Sequence, residues 1–295
     1  MKKAVWGAFL LMTTLAAAGL CETDYTLSNP HIRYEKIEGA RQEETTQADG
    51  AGISLSDMAA AEDAQSAAQS ADTWPKTFTV TLGGDTTLGS TDDLRKREDC
   101  FENVAADKGY GWFFSGLQTL FATDDLTLVN FEGTLTEETS KKEKLYNFKG
   151  PAEYTDILTL GSVEAVNIAN NHYIDFGGSG RESTRAALEA AGIGFSGYTY
   201  RSVVEVNGYR IGFAGCRETV YLDRKAPVYN DLEALREAGC DAIIYSFHWG
   251  KEYSPTHNQT QRRMADYAIQ HGADIVVGTH PHCVQGVEHR RGSLI

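Results

Sequence analysis

Short apolar runs alternate with segments of helical periodicity from Pro75 onward. This alternation is typical of α/β proteins with a largely parallel sheet. The predicted strands cover residues 78–82, 126–131, 165–169, 210–214, 242–247 and 275–277. The predicted helices cover residues 112–121, 151–160, 181–191, 231–238 and 261–271. The last three helices are each followed by a glycine, which is a common residue at a helix C-terminus.

Polar side chains follow five of the predicted strands at the point where each strand ends. Taken singly, an aspartate after two glycines or a histidine at a strand end is usually a turn or hydrogen-bonding residue. Because the carboxyl ends of strands in α/β sheets form the crevice where ligands bind, all five clusters are expected to share one site. They are Asp85, Asn130 with Glu132, Asn171 with His172, His248, and His280 with His282.

The first 74 residues differ in amino-acid composition from the rest of the chain. Residues 1–21 carry Lys2 and Lys3 before an uncharged apolar stretch, which predicts a secretory signal or a membrane anchor, with lipidation of Cys21 as an alternative. Residues 22–74 are rich in Ala, Gln, Ser, Asp and Glu and cannot bury much apolar surface, so we predict a flexible acidic tether. The folded domain is expected to span residues 75–295.

The charge balance restricts the partners. The chain has 41 acidic and 27 Lys or Arg residues, a formal net charge of -14, and this field repels nucleic acid. We expect no nucleic-acid partner. An anionic polymer would need a local basic patch, for which the candidates are residues 95–97 and Lys141, Lys142 and Lys144; both runs also fit solvated loops.

The residue types at the strand ends indicate a metal. Imidazole, carboxylate and amide oxygen together suit Mn, Fe or Zn, whereas the spacing of the five cysteines matches no structural zinc motif. We therefore expect one or two divalent ions with a catalytic or substrate-binding role.

Five segments in order form a recognisable set of motifs. They are Gly84-Asp85 with Leu88-Gly89, residues 130–133, residues 169–172 with Asp175 and Gly177, residues 248–250 with Glu252-Tyr253, and residues 278–282 with Gln285 and Glu288. This set resembles the CapA or poly-γ-glutamate synthesis family, a branch of the calcineurin-like metallophosphoesterase superfamily. The resemblance covers Phe78 to the end and implies a metallophosphoesterase-like α/β/β/α sandwich. Relatives continue beyond the segment equivalent to residues 292–295, so the resemblance also implies a C-terminally truncated domain.

The same resemblance implies a role for each residue of the site. The superfamily uses two ions that hold a phosphate and activate a water. The implied ligands are Asp85 and His282 for the first ion, Asn171, His248 and His280 for the second, and Glu132 between them. His172 is the implied general acid or oxyanion donor, oriented by Asp175. Asn130, Trp249 and Glu252 complete the predicted site as substrate contacts, with Trp249 alternatively a packing wall.

Two departures from the superfamily pattern weaken the first ion site. The residue two positions after Asp85 is Thr87 instead of histidine, and Glu132 stands where aspartate is usual. A site with one ion, or a binding protein on an inherited metal scaffold, therefore stays open.

These observations predict an extracytoplasmic protein, membrane-anchored or secreted, that acts in capsule biosynthesis or export. Its expected partners are an anionic polymer such as poly-γ-glutamate or its precursors, membrane polymer synthase subunits, and the membrane itself through the N-terminal segment. The alternatives are a non-catalytic accessory protein that binds polymer or synthase, and a secreted metallophosphatase or nucleotidase.

Overall fold

The computed structural model describes residues 33–38 and 77–295, which contain thirteen strands and seven α-helices. The strands are β1 (Arg33–Glu38), β2 (Val80–Thr86), β3 (Leu126–Phe131), β4 (Thr134–Leu135), β5 (Lys149–Gly150), β6 (Ala165–Asn167), β7 (Gly194–Ser196), β8 (Tyr200–Val206), β9 (Tyr209–Arg217), β10 (Ala242–His248), β11 (Ile275–Thr279), β12 (His289–Arg290) and β13 (Ser293–Leu294). The helices are α1 (Phe101–Lys108), α2 (Gln118–Phe121), α3 (Thr155–Leu160), α4 (Gly177–Ala190), α5 (Glu218–Asp223), α6 (Ala226–Glu237) and α7 (Gln259–Gln270).

The described strands form two main sheets and a small third one. One main sheet has four strands in the order β2-β3-β6-β7, all parallel. The other has seven strands in the order β1-β8-β9-β10-β11-β13-β12, parallel from β9 to β13 and antiparallel toward both edges. The short strands β4 and β5 pair beside the four-stranded sheet, and the loop 136–148 connects them.

The two main sheets pack face to face between two layers of helices. Leu126 and Leu128 of β3 meet Phe213 of β9 and Ile244 of β10 in the layer between the sheets. The outer face of the four-stranded sheet packs on α1 to α4, and that of the seven-stranded sheet packs on α5 to α7. Each fully buried Leu, Ile or Phe in these layers contributes about 1.5–3 kcal/mol. The predicted α/β/β/α sandwich is confirmed.

The period-two alternation of strands explains where the polar residues lie. In β3, Leu126 and Leu128 face the layer between the sheets, and Asn130 occupies the next position on that face. In β10 the same face presents Ala242 and Ile244 and then turns polar toward His248. The layer between the sheets is thus apolar at the amino ends of the strands and polar at their carboxyl ends.

A glycine lets the two sheets approach closely at the polar end. A Cβ atom at Gly215 of β9 would overlap the side chain of Asn167 on β6 and would lie 2.7 Å from the carbonyl oxygen of Ser246. Only a residue without a side chain fits this position. The close approach brings the carboxyl ends of β3, β6 and β10 to one place.

Several predicted elements differ from the structure. Residues 112–121 were predicted to be one helix, but only Gln118–Phe121 is α-helical, because this glycine-interrupted segment folds as successive turns. Residues 33–38, within the predicted tether, form β1 antiparallel to β8 and extend the larger sheet. The segment 1–21 and the remainder of the tether lie outside the described residues and stay predictions. No helix within the described ranges is long and apolar enough to cross a bilayer.

Candidate metal centre

The predicted ligand side chains come together at the carboxyl ends of β2, β3, β6, β10 and β11. Three overlapping groups of side chains place one potential ligand atom each within 4.8 Å of one another. These groups are Glu132 with His248 and His280, Asp85 with Glu132 and His282, and Glu252 with His280 and His282. Glu132, His280 and His282 each belong to two of these groups, so the three groups form one continuous cluster.

Glu132 is the buried centre of this cluster. It is 2% exposed, and neither carboxylate oxygen has a hydrogen-bond partner among the described residues. Burial, and next the negative charge of Asp85, raise the pKa of Glu132 to about 8. Its Oε1 lies 3.7 Å from Nε2 of His248 and 3.8 Å from Nε2 of His172. A buried carboxylate without partners, surrounded by imidazoles, fits a cation, so the donor set suits a divalent metal.

His248 is a buried, neutral imidazole. Burial, and next the nearby charges of His280 and Arg217, lower the pKa of His248 to about 2. Its Nδ1 lies 3.0 Å from the hydroxyl of Thr279, and its Nε2 lies 2.6 Å from Oδ1 of Asn171. An imidazole that stays unprotonated keeps a lone pair for a metal at any working pH. The side chain of Asn171 thus contacts His248 directly.

Asp85 is oriented from three sides. Its Oδ1 accepts a hydrogen bond from Nδ2 of Asn130 at 2.8 Å, and its Oδ2 accepts one from the backbone N–H of His280 at 3.1 Å. Nδ1 of His282 lies 3.0 Å from the same Oδ2. These contacts place Asp85 and His282 side by side.

Asn130 was predicted to contact substrate, but the structure places it beneath the site. Its side chain is buried, with Nδ2 directed to Asp85 and Oδ1 accepting from Nδ2 of Asn167 at 2.8 Å. The amide therefore links the two strands β3 and β6 and positions Asp85. It presents no free polar atom to a substrate.

The histidines after β11 adopt strained backbone conformations. His280 has a φ of 94° and His282 a φ of 52°, in the left-handed region that non-glycine residues seldom occupy. Buried Nδ1 of His280 also has no hydrogen-bond partner among the described residues. Strain of this kind costs about 1–3 kcal/mol and is common where a ligand needs a fixed direction.

His172 lies at the edge of the cluster and is fixed from behind. Its Nδ1 lies 2.9 Å from Oδ2 of Asp175, a fully buried carboxylate that also accepts the backbone N–H of Phe148 at 2.8 Å. When Nδ1 of His172 carries the ring proton and donates it in a hydrogen bond to Asp175, the unprotonated Nε2 faces the cluster. Asn170 supports the turn, because its Oδ1 accepts the N–H groups of His172 and Tyr173, both at 3.0 Å.

Lys144 belongs to the site, although the sequence indicated it only as part of a basic run. Its ammonium forms an ion pair with Asp175, lies 3.2 Å from Nδ1 of His172 and donates to the carbonyl of Asn171 at 3.0 Å. The loop 136–148 brings it there. No local pattern could have assigned this contact, since its partners lie about thirty residues away.

Of the other two predicted substrate contacts, Trp249 is buried and Glu252 is exposed. Trp249 is buried and stacks on Phe247 with 5.0 Å between ring centroids, which is the packing-wall alternative. Glu252 is exposed beside His280 and His282, where its carboxylate is a further candidate metal ligand. A cavity of about 880 Å³ opens next to Asp85, His280 and His282, between α7 and residues 277–288.

Comparison with known proteins relates the sequence of this chain to bacterial capsule synthesis proteins. The family described as bacterial capsule synthesis protein PGA_cap matches residues 79–295. The "PGA biosynthesis protein CapA" of Bacillus subtilis (strain 168) is 27% identical over 216 residues, 66% of this chain and 57% of that protein. The "Capsule biosynthesis protein CapA" of Bacillus anthracis is 22% identical over 245 residues, 74% of this chain and 57% of that protein. The chain thus spans little more than half the length of these curated relatives.

Proposed function

Because the chain belongs to the bacterial capsule synthesis protein PGA_cap family, we propose that it acts in the synthesis, transfer or export of an anionic capsular polymer such as poly-γ-glutamate. The names of the two Bacillus relatives, a PGA biosynthesis protein and a capsule biosynthesis protein, support this role. The protein works outside the cytoplasm, anchored or secreted through its N-terminal segment. Polymer, polymer precursors and membrane synthase subunits are its proposed partners.

The proposed activity is metal-dependent hydrolysis or transfer at the cluster around Glu132. The observation that carries it is the buried carboxylate of Glu132, which has no hydrogen-bond partner among the described residues and lies between Asp85 and His248. Asp85, Glu132, Asn171, His248, His280 and His282 would hold one or two ions, with Mn, Fe and Zn as candidates. A bound ion would polarise a phosphoryl or amide oxygen and lower the pKa of a water.

The protein's own residues would orient and protonate the substrate. His172 faces the cluster through Nε2 and would donate a proton to the leaving group or to a developing oxyanion. Asp175 accepts a hydrogen bond on the opposite side of that ring and fixes its direction, and Lys144 forms an ion pair with Asp175. Phe148, whose ring centroid lies 4.7 Å from that of His172, limits water on one side.

One observation favours a second candidate function. Thr87 replaces the histidine that the superfamily normally offers to the first ion, so Asp85 and His282 would bind that ion weakly. A non-catalytic accessory protein that binds polymer or synthase would tolerate this loss. In that case replacement of His172 leaves capsule output unchanged.

The test uses the full chain and measures metal content first. Wild-type protein is purified, loaded with Mn, Fe or Zn, and analysed for bound metal; at least one ion per chain is expected. Turnover of a generic phosphodiester and of poly-γ-glutamate is then measured for the wild type and for His172→Ala. The control is His289→Ala, which removes an exposed imidazole outside the cluster.

The outcomes separate the two candidates. Loss of turnover in His172→Ala with unchanged metal content supports the enzyme. Metal binding without turnover on either substrate supports the accessory protein. A chain that binds none of these metals contradicts the metal-dependent function.

A further inference from the structure

Arg217 lies next to the metal cluster, and neither the sequence motifs nor the family resemblance includes it. It is the last residue of β9, directly opposite His248 in the register of β9 and β10. Residues opposite each other on neighbouring strands point to the same face of a sheet. The face that carries Ile211 and Phe213 lies between the two sheets, and Arg217 occupies the polar end of that face.

The strand that carries Arg217 is bound to the loop of Asn170 and Asn171. The backbone N–H of Tyr198 donates to the carbonyl oxygen of Gly215, two residues before Arg217, at 3.1 Å. The hydroxyl of Tyr198 in turn donates to the carbonyl oxygen of Asn170 at 2.9 Å. Asn170 directly precedes Asn171, whose amide oxygen meets His248. This chain of contacts ties the arginine to the floor of the site.

Arg217 has no acidic partner within the described part of the chain. Arg201, Arg210 and Arg290 each pair with a carboxylate at 2.7–2.8 Å, whereas the ion pairs of the described residues do not include Arg217. The neighbouring carboxylate of Glu218 accepts the backbone N–H of Gly250 instead. In a chain with a net charge of -14, a half-buried guanidinium without a carboxylate is unusual.

Arg217 lies near the cluster through the pairing of β9 with β10. Neighbouring strands lie about 4.8 Å apart, and Arg217 stands opposite His248 on the face that carries the cluster. The guanidinium is therefore within reach of a group bound beside His248. It offers five N–H donors and has no carboxylate partner among the described residues.

We propose that Arg217 forms an anion subsite beside the metal cluster that binds a carboxylate or phosphate group of the substrate. The planar guanidinium binds such groups through two parallel hydrogen bonds. A γ-linked glutamyl polymer carries a carboxylate near each amide bond, and a phosphoester carries its charge at the reacting centre. The subsite rests on the proposed function, because it positions that anion relative to the metal.

The experiment measures anion binding directly and does not depend on turnover. The full chain is titrated calorimetrically with inorganic phosphate and with the dipeptide γ-glutamylglutamate, both with Mn loaded and with metal removed. The variants are Arg217→Met and Arg217→Lys. The matched control is Arg224→Met, which removes a 72% exposed arginine at the other end of α5. Mn affinity and thermal unfolding are measured for each variant.

Arg217→Met is expected to weaken binding of at least one probe about tenfold or more, without weakening Mn binding. Arg217→Lys is expected to lose a smaller part of that affinity, because lysine keeps the positive charge but lacks the paired N–H donors of the planar guanidinium. Arg224→Met stays within about twofold of the wild type. The probe that loses affinity tells whether the subsite takes carboxylate or phosphate.

Three results would overturn the subsite: wild-type protein that binds neither anion, an Arg217→Met variant that binds both as well as wild type, or an equal loss in Arg224→Met. A wild-type chain that binds no Mn would instead contradict the proposed function. The titrations without metal would still decide whether Arg217 binds an anion. Arg217→Lys retains the charge and serves as the test if Arg217→Met unfolds.

Discussion

Oδ1 of Asn171 lies 2.6 Å from Nε2 of His248, although the two residues are 77 positions apart and belong to opposite sides of the sandwich. Asn171 follows β6 of the four-stranded sheet, and His248 ends β10 of the seven-stranded sheet. The contact therefore exists only when the two sheets are packed together. Metal binding at this point would connect the sheets and stabilise the folded state by mass action.

Replacing Glu132 with glutamine should stabilise the metal-free protein at high pH and weaken its binding of metal. The pKa of Glu132 is raised to about 8 in the folded chain from an ordinary value of 4.5. A raised pKa means that the contribution of Glu132 to the free energy of unfolding is greatest below about pH 4.5 and is lost as the pH rises through about 8. At pH 9 without metal, Glu132→Gln should therefore be more stable by roughly 1–3 kcal/mol, and it should bind Mn at least about 100-fold more weakly.

Urea unfolding at pH 5 and pH 9 in the presence of a chelator measures the first effect, and calorimetry with Mn measures the second. The stability difference should shrink at pH 5, where both side chains are neutral in the folded protein. A variant that is less stable than wild type at pH 9 would contradict the role given to the buried charge.

Metal affinity should rise with pH up to about 8. Below that value a cation must displace the proton on Glu132, so the affinity should increase up to about tenfold per pH unit and a proton should be released. His248 releases no proton when a cation binds, because burial already lowers its pKa to about 2. Calorimetry of Mn binding in two buffers with different ionisation enthalpies measures the released protons. A flat profile from pH 6 to 8 would exclude Glu132 as a ligand.

Lys144 and Asp175 should be energetically coupled. Asp175 is fully buried, and Lys144 supplies its ion-pair partner while also contacting His172 and Asn171. A double-mutant cycle with Lys144→Met and Asp175→Asn should give a coupling free energy of about 1–2 kcal/mol in urea unfolding. The control is Lys142→Met, an exposed neighbour, which should show no coupling to Asp175. Equal coupling for both lysines would remove the specific role of Lys144.

Gly215→Ala should disturb both the fold and the site. The added methyl group would overlap the side chain of Asn167 and crowd the carbonyl of Ser246, at a cost of about 1–3 kcal/mol. Asn167 holds Asn130, which holds Asp85, so Mn affinity should fall as well. Gly116→Ala serves as the control, because an added Cβ there has no neighbour within 4 Å. Thermal unfolding and Mn titration of both variants measure the difference.

The sequence alone was informative about the elements and about which strand ends carry chemistry. Residues 126–131 were predicted as a strand and form β3 with the same bounds, because a run of only six residues with β-branched and aromatic members between turn signals is typical of a buried strand. The glycines that follow three predicted helices predicted their ends to within one residue. Glycine-rich Gly177–Gly180 nevertheless belongs to α4, since packing overrides weak local propensity.

The sequence could not divide the strands between two sheets or place β1 at an edge of the larger one. Strand pairing depends on contacts between distant segments, whose partners no local pattern identifies. The same limit applies to the residues around the site. The alternation that places Asn130 toward the layer between the sheets is local, but its burial beneath Asp85 depends on how closely β6 and β9 approach at Gly215.

The amino-acid sequence by itself determined that carboxylate, amide and imidazole groups end the parallel strands, because residue type and strand polarity are written in the chain. Only the tertiary structure decided which of those groups face one another across the two sheets. In the folded chain Lys144 pairs with Asp175, Trp249 is buried in the core, and Arg217 lies beside His248 without an acidic partner among the described residues. The physical reason is that burial and pairing are properties of packed surfaces, which form only after distant segments meet.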